Sequence, residues 1–167
     1  MEAPMADTDI DLLKEMPLFG GLTPETLRLL SQSAPRITVR GHDYFFREGD
    51  AGEAMYVLQE GEVAVLKSWQ GQTRELRRFL PGDSFGEMAL IDLFPRSASV
   101  MAVRDSAALQ LDNDLLLEIH CRDPEQFTLI QMNLARELSR RLRWADEVLF
   151  EFAMEARTPV KKVLRVL

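Results

Sequence analysis

The chain is short of the residues that build metal, redox or nucleophilic centres. Its 167 residues include one cysteine, Cys121, and two histidines, His42 and His120. A lone thiol makes neither an internal disulfide nor a thiolate metal site, so Cys121 reads as a small buried hydrophobe in a reducing compartment. The histidines stand far apart with no His or Cys beside them, which removes the ligand set of a metal-binding jelly roll. Long apolar runs are missing too: nothing approaches the roughly 18 to 20 consecutive apolar residues of a membrane span. The first residues, Met1 to Asp7, carry neither the basic nor the apolar segment of a signal peptide, so the expectation is a cytoplasmic protein without membrane contact. Positive charge is in deficit: Lys and Arg total 20 against 27 Asp and Glu, a net charge of −7. That sign excludes a polyphosphate as the main partner, and direct nucleic-acid binding by this chain is not expected. No nucleophile–base pair, paired-carboxylate motif, repeat or lipidation signal stands out, so no catalytic residue, cofactor or metal is assigned and a non-enzyme is expected.

What is present is a change of hydrophobic period along the chain. Ile10, Leu12, Leu13 and Met16 give a helical stripe, and Thr23-Pro24-Glu25 supplies an N-cap, a first-position proline and an early acid for a second helix, placing N-terminal helices over 8–33. From Arg36 the period becomes two. Short runs at Ile37 to Val39, Tyr44 to Phe46, Met55 to Leu58, Val63 to Leu66, Glu75 to Phe79, Ala98 to Val103 and Ala107 to Leu111 read as strands. Gly- and Asp-containing breakers, among them Glu60-Gly61-Glu62 and Pro81-Gly82-Asp83, recur about every ten residues, the rhythm of hairpins in a sandwich or barrel. With a short strand ending at Ser84 or Phe85, the expected class is mostly β with flanking helices: an eight-stranded antiparallel roll over 36–112, of jelly-roll type. Helix returns after Asn113 and fills 113–155. Its longer part opens at Asp123-Pro124-Glu125 and meets no proline or glycine before Pro159. Leu134, Leu138, Leu142, Ala145, Leu149 and Phe152 lie along one seam of it, either against the domain or, over 123–152, as the contact of a homodimer. Arg140-Arg141-Leu142-Arg143 reads as a solvated face.

One segment departs from both periods, Phe85-Gly86-Glu87-Met88-Ala89-Leu90-Ile91-Asp92-Leu93-Phe94-Pro95-Arg96-Ser97-Ala98-Ser99-Val100. A short helix interrupts the strands, and Gly86 lets its backbone approach a ligand. Pro95 biases Phe94 toward extended geometry and aims Arg96 back across that helix, where its planar fork suits two oxygens of one phosphate. Ser97 and Ser99 alternate with Ala98 and Val100, so one hydroxyl can face the ligand while Val100 faces the core. Glu87 suits a sugar hydroxyl and, near Arg96, has its charge partly compensated. The constellation describes a receptor for a small anionic sugar.

Phe85-Gly86-Glu87-Met88-Ala89-Leu90, four residues, then Pro95-Arg96-Ser97-Ala98-Ser99-Val100 resembles the phosphate-binding cassette of the cyclic nucleotide-binding domains, found in catabolite-activator-type regulators, cyclic-nucleotide-dependent kinases and gated channels. Glu48-Gly49-Asp50-Ala51-Gly52, Met55 to Leu58 and Gly61-Glu62-Val63 resemble that family's hairpins, and the likeness runs from about Leu12 to Trp144. The resemblance implies a non-enzymatic receptor whose cassette residues Phe85, Gly86, Glu87, Met88, Ala89, Pro95, Arg96, Ser97, Ala98 and Ser99 form the ligand site. In it the Gly86 N–H and Glu87 meet the ribose 2′-hydroxyl, Arg96 the cyclic phosphate, Ser97 an equatorial oxygen, and Ala98 adds a backbone N–H. Relatives of the activator type read the base from the long helix. Here Ala145-Asp146 stands in that place after Trp144, so Asp146 would accept from an adenine or guanine edge and Trp144 would stack on the base. Cyclic AMP is the expected ligand, with cyclic GMP open.

The domain expected from these readings spans 1–155, followed at 156–167 by a basic tail too short to fold as a DNA-binding module. A sensor acting on an effector protein and a sensor fragment of a transcription regulator or channel both fit. A degenerate roll used for dimerisation or docking would differ by a pocket plugged by Phe94 or Trp144. Leu93-Phe94 puts apolar bulk in the cassette loop, which suggests contact with a neighbouring helix or chain.

Overall fold

The computed structural model describes residues 7–155; the basic tail at 156–167 lies outside them. Helix α1 (Asp7–Glu15) leads through a 3-10 turn at Pro17–Phe19 into α2 (Pro24–Ser33). As its sequence predicts, α2 is capped by Thr23, whose side chain accepts from the Thr26 N–H, and starts on Pro24. Six strands follow: β1 (Arg36–Val39), β2 (Tyr44–Phe46), β3 (Ala54–Trp69), β4 (Gln72–Phe79), β5 (Ser84–Phe85) and β6 (Ser99–Asp112), with α3 (Glu87–Asp92) between the last two. Helices α4 (Asn113–Arg122) and α5 (Pro124–Glu155) complete the described chain.

The expected count of eight strands becomes six because two expected pairs are continuous. Glu60-Gly61-Glu62 is not a hairpin turn. It is a stretch of bulges, where the β3–β6 register shifts between Leu58 and Val63. A bulge bends a strand without ending it. One half of β3 (54–58) lies between β5 and the end of β6, and the other half (63–69) between β4 and the start of β6. On the far edge of β6, β1 pairs at 106–109 and β2 at 100–101. All pairings are antiparallel.

The bend turns the halves toward each other. Leu58, Phe85 and Ala108 from one half share a core with Val63, Phe79 and Val100 from the other. Phe85 is its centre, with ring centroids 5.1 Å from Phe45, 5.3 Å from Tyr56 and 6.2 Å from Phe79. Alternate residues of the first half face outward: Met55, Val57, Leu109 and Leu111 pack with Leu13, Phe19, Leu27, Leu30, Ile119, Ile130 and Leu134 of the helices. Each such fully buried side chain contributes about 1.5–3 kcal/mol.

Helix α5 has 32 residues, about 48 Å at 1.5 Å per residue. Its first half is tied to the domain: the Asn133 amide donates to the Leu18 carbonyl at 3.1 Å and the Gly20 carbonyl at 2.9 Å, and Gln126 Oε1 accepts from the Thr23 N–H at 2.7 Å. Its second half presents Leu142, Trp144, Val148, Phe150, Phe152 and Met154 to solvent. The expected seam divides accordingly: Leu134 is buried and Leu138 packs on the helical core, whereas Leu142 and Phe152 are exposed. Cys121 is exposed rather than buried, being on the outer side of the last turn of α4. Among the described residues no helix is long and apolar enough to cross a membrane, and no group of three His, Cys, Asp or Glu could hold a metal ion.

Candidate ligand site

The site grows from the end of β5. Ser84 and Phe85 are buried, and Gly86 then turns left-handed at φ 80° to cap α3. A Cβ at Gly86 would be 2.8 Å from Arg96 Nη1, so both backbone angle and space call for glycine. After six residues α3 ends at Leu93, itself left-handed at φ 60°, and Asp92 Oδ1 accepts from the Phe94 N–H at 3.0 Å. The chain returns through Pro95 to Arg96, whose N–H donates to the Asp50 carbonyl at 2.8 Å and whose carbonyl accepts from Gly49 N–H at 2.9 Å. The 49–52 turn thus clamps the cassette from outside. Gly52 is packed against it so closely that a Cβ there would be 2.2 Å from the Ala89 methyl.

The Arg96 side chain is 5% exposed and points inward. Its Nη1 donates to the Gly86 carbonyl and its Nη2 to the Ala54 carbonyl, both at 2.7 Å, and the guanidinium lies 4.1 Å from the Phe46 ring centroid. Nε is buried without a partner. Burial holds this guanidinium below the usual arginine range, against the opposing influence of Tyr56, Asp50 and Glu87. It therefore gains from any anion brought to it.

Glu87, the first residue of α3, is also 5% exposed, but its ion-pair partner is not Arg96. Glu87 Oε1 accepts from Arg141 Nη1 of α5 at 2.9 Å. Arg141 also donates through Nη2 to the Ser84 carbonyl and through Nε to Glu137 Oε1 at 3.2 Å, with its guanidinium 4.7 Å from the Phe79 centroid. Its side chain is 12% exposed, so the expected solvated run at 140–143 is corrected at this residue. A signal was present in the sequence: Leu134, Leu138, Arg141 and Ala145, spaced by four, three and four, share a helix face.

Between cassette and α5 lies a cavity of about 570 Å³. Phe85, Gly86, Glu87, Met88, Ala89, Arg96, Ser97 and Ala98 line it, joined by Phe46, Val65, Arg77 and Phe79 of the roll and Leu138, Arg141, Leu142 and Ala145 of α5. Pro95, Ser99, Trp144 and Asp146 do not. Ser99 Oγ instead accepts from the Glu48 N–H at 2.8 Å, and the Ser97 carbonyl accepts from Lys67 Nζ at 2.6 Å, so both serines also brace the loop. Trp144 lies outside the lining with its ring 5.1 Å from the Arg77 guanidinium. Phe94 is 69% exposed, and neither aromatic plugs the cavity.

Residues 36–123 match the family model described as "Cyclic nucleotide-binding domain". The chain is 41% identical over 136 residues to the Cyclic AMP receptor protein of Thermus thermophilus, covering 80% of this chain and 61% of that one. It is 33% identical over 102 residues to the cAMP-dependent protein kinase regulatory subunit of Emericella nidulans, covering 61% and 24%. The chain thus spans less than two thirds of these curated relatives. Among solved structures, the Thermus thermophilus Catabolite Activator Protein superposes with a TM-score of 0.73 at 38% identity, covering 83% of this chain and 64% of that one. A cyclic nucleotide-binding domain from Methylobacillus flagellatus gives 0.80 at 25% identity, covering 90% and 88%. A cassette of this sequence, folded around a cavity of this kind and matched over more than half the chain, has one assignment: the protein belongs to the cyclic nucleotide-binding domain family.

Proposed function

We propose that the protein is a non-enzymatic receptor for a cyclic nucleotide, with cyclic AMP as its first ligand and cyclic GMP as the alternative. The observation that carries the reading is Arg96: a guanidinium 5% exposed, with a buried Nε that lacks a partner, at the wall of a cavity sized for a small ligand. In this reading Arg96 and the Ala98 N–H hold the cyclic phosphate with help from Ser97, while the Gly86 N–H and Glu87 take the ribose 2′-hydroxyl. Phe85, Met88 and Ala89 wall the pocket, Pro95 fixes the approach to Arg96, and Ser99 steadies the loop. The base rests against Val65 and the face of α5 formed by Leu138, Leu142 and Ala145; contact with Trp144 or Asp146 requires α5 to shift.

Residues 1–155 act as one binding unit, and occupancy is signalled to an effector through α5. Because Arg141 of that helix already grips Glu87, a ligand that engages Glu87 necessarily alters what holds α5 in place. The solvent-exposed apolar residues of its second half support a homodimer formed along the same helix. The absence of Phe94 and Trp144 from the cavity walls speaks against a plugged docking module.

Calorimetric titration of cyclic AMP and cyclic GMP into nucleotide-free protein tests the reading. Micromolar or tighter binding of either supports it; failure of both to bind overturns it.

A further inference from the structure

A small polar cluster stands behind the cassette, on residues that take no part in the cavity lining. Lys67, on β3 just past the pair of Leu66 with Ser99, sends its Nζ to Glu48 Oε1 at 2.5 Å and to the Ser97 carbonyl at 2.6 Å. Glu48 is fixed in turn: its Oε2 accepts from the Ser68 N–H at 3.2 Å, and its own N–H donates to Ser99 Oγ at 2.8 Å. The bonds from Lys67 and Ser68 hold the Glu48 carboxyl below the usual carboxylate range, so it stays an anion that keeps the ammonium in place. The Lys67 side chain is half-exposed, and an exposed ion pair of this kind contributes little to stability.

The effect of Lys67 falls on the peptide between Ser97 and Ala98. Those two residues line the cavity, whereas Lys67 and Glu48 do not, so the ammonium draws the Ser97 carbonyl outward. The peptide is trans, and across one rigid trans plane the N–H points opposite to the carbonyl. The Ala98 N–H is therefore turned to the cavity side, and it makes no hydrogen bond among the described residues. A cation on the carbonyl oxygen also polarises the amide and strengthens its N–H as a donor.

We propose that Lys67 is a positioning residue for the phosphate: it orients and polarises the Ser97–Ala98 peptide, so that the Ala98 N–H is set toward the ligand before the ligand arrives. The inference rests on the receptor reading above, in which that N–H holds the cyclic phosphate. A donor fixed in advance binds without the cost of ordering it, so the contribution of Lys67 falls on affinity rather than on folding.

The experiment is a calorimetric titration of wild type, Lys67→Met and Lys67→Arg, with melting temperatures measured alongside. The ligands are whichever of cyclic AMP and cyclic GMP the wild type binds more tightly, and the two diastereomers of its phosphorothioate. Lys67→Met removes the cation from a side chain of similar length. It is expected to weaken the cyclic nucleotide about tenfold, equivalent to about 1.4 kcal/mol, and to melt within about 4 °C of wild type. Lys67→Arg, which can still donate to the carbonyl, should bind within about threefold of wild type. Each diastereomer carries sulfur, a weak acceptor, in place of one exocyclic oxygen. The one whose sulfur faces Ala98 has little to lose, so Lys67→Met should weaken it less than about threefold and the other about tenfold. That comparison is made within one variant and is independent of its stability. Equal losses for the two diastereomers, no loss for the cyclic nucleotide, or no recovery in Lys67→Arg would overturn the assignment while leaving the receptor reading intact. A wild type that binds neither cyclic AMP nor cyclic GMP overturns both.

Discussion

The two walls of the cavity are held in different ways. The cassette wall is fixed by its own backbone: the 49–52 turn clamps Arg96 through two main-chain hydrogen bonds, and Arg96 in turn bonds the carbonyls of Gly86 and Ala54. The helix wall is fixed by side chains. Arg141 reaches 54 residues back in sequence to Glu87, and Leu138 packs on the helical core. Backbone clamps keep a binding surface formed before the ligand arrives, whereas a long ion pair can be traded for ligand contacts. Rigidity and response are thereby assigned to different parts of the chain.

The sharpest way to break this contrast is on the cassette side. Arg96→Ala should abolish measurable binding, a loss of at least about 100-fold if two charge-assisted hydrogen bonds of about 1.5 kcal/mol or more disappear; calorimetry reads it, and unchanged affinity removes the phosphate assignment. Gly52→Ala should follow, because its methyl needs space already held by Ala89. An overpacking cost of about 1–3 kcal/mol is expected in a denaturant melt, with weaker binding from a displaced Arg96. On the helix side, Arg141→Ala leaves Glu87 buried without its partner. Its cost of about 3 kcal/mol would lower the melting temperature by about 6–12 °C, and nucleotide should restore part of it by engaging Glu87. A ligand-induced shift no larger than in wild type would show that Glu87 does not meet the ligand.

Leu142→Asp, in the exposed half of α5, should abolish the proposed dimer in sedimentation with little effect on the melting of the monomer itself. The smallest effect is one of pH. Burial raises the Glu137 carboxyl, but the hydrogen bond from Arg140 and the charges of Arg141 and Arg140 outweigh it and leave the group below the usual carboxylate range. The folded state therefore favours the carboxylate. That stabilisation is complete above the unfolded carboxylate pKa and is lost as pH falls through the lowered folded value. Melting followed from pH 6 downward should fall less steeply in Glu137→Gln than in wild type.

The same division explains what could be read from the chain. The cassette is contiguous, so Gly86, Glu87 and Arg96 stood out from residue types and spacing, as did the Thr23-Pro24 helix start and the period-two strands. What was hidden depends on partners distant in sequence. Glu60-Gly61-Glu62 has the composition of a turn, and only its pairing with β6 makes it a bulge. Arg141 sits within an arginine-rich stretch that looks solvated, and only α5 docking on β5 and α3 buries it. Cys121 was expected inside because cysteines usually are, yet the face of α4 that carries Leu115, Leu116 and Ile119 turns it outward.

The position of Trp144 has an optical consequence. The chain has two tryptophans, and Trp69, 76% exposed at the tip of the β3–β4 hairpin, takes no part in the cavity lining. Trp144 borders the Arg77 guanidinium at the cavity's edge, so whatever moves α5 against the roll changes the surroundings of its indole. With Trp69 replaced by phenylalanine, the remaining emission would report the state of the helix wall without any added label.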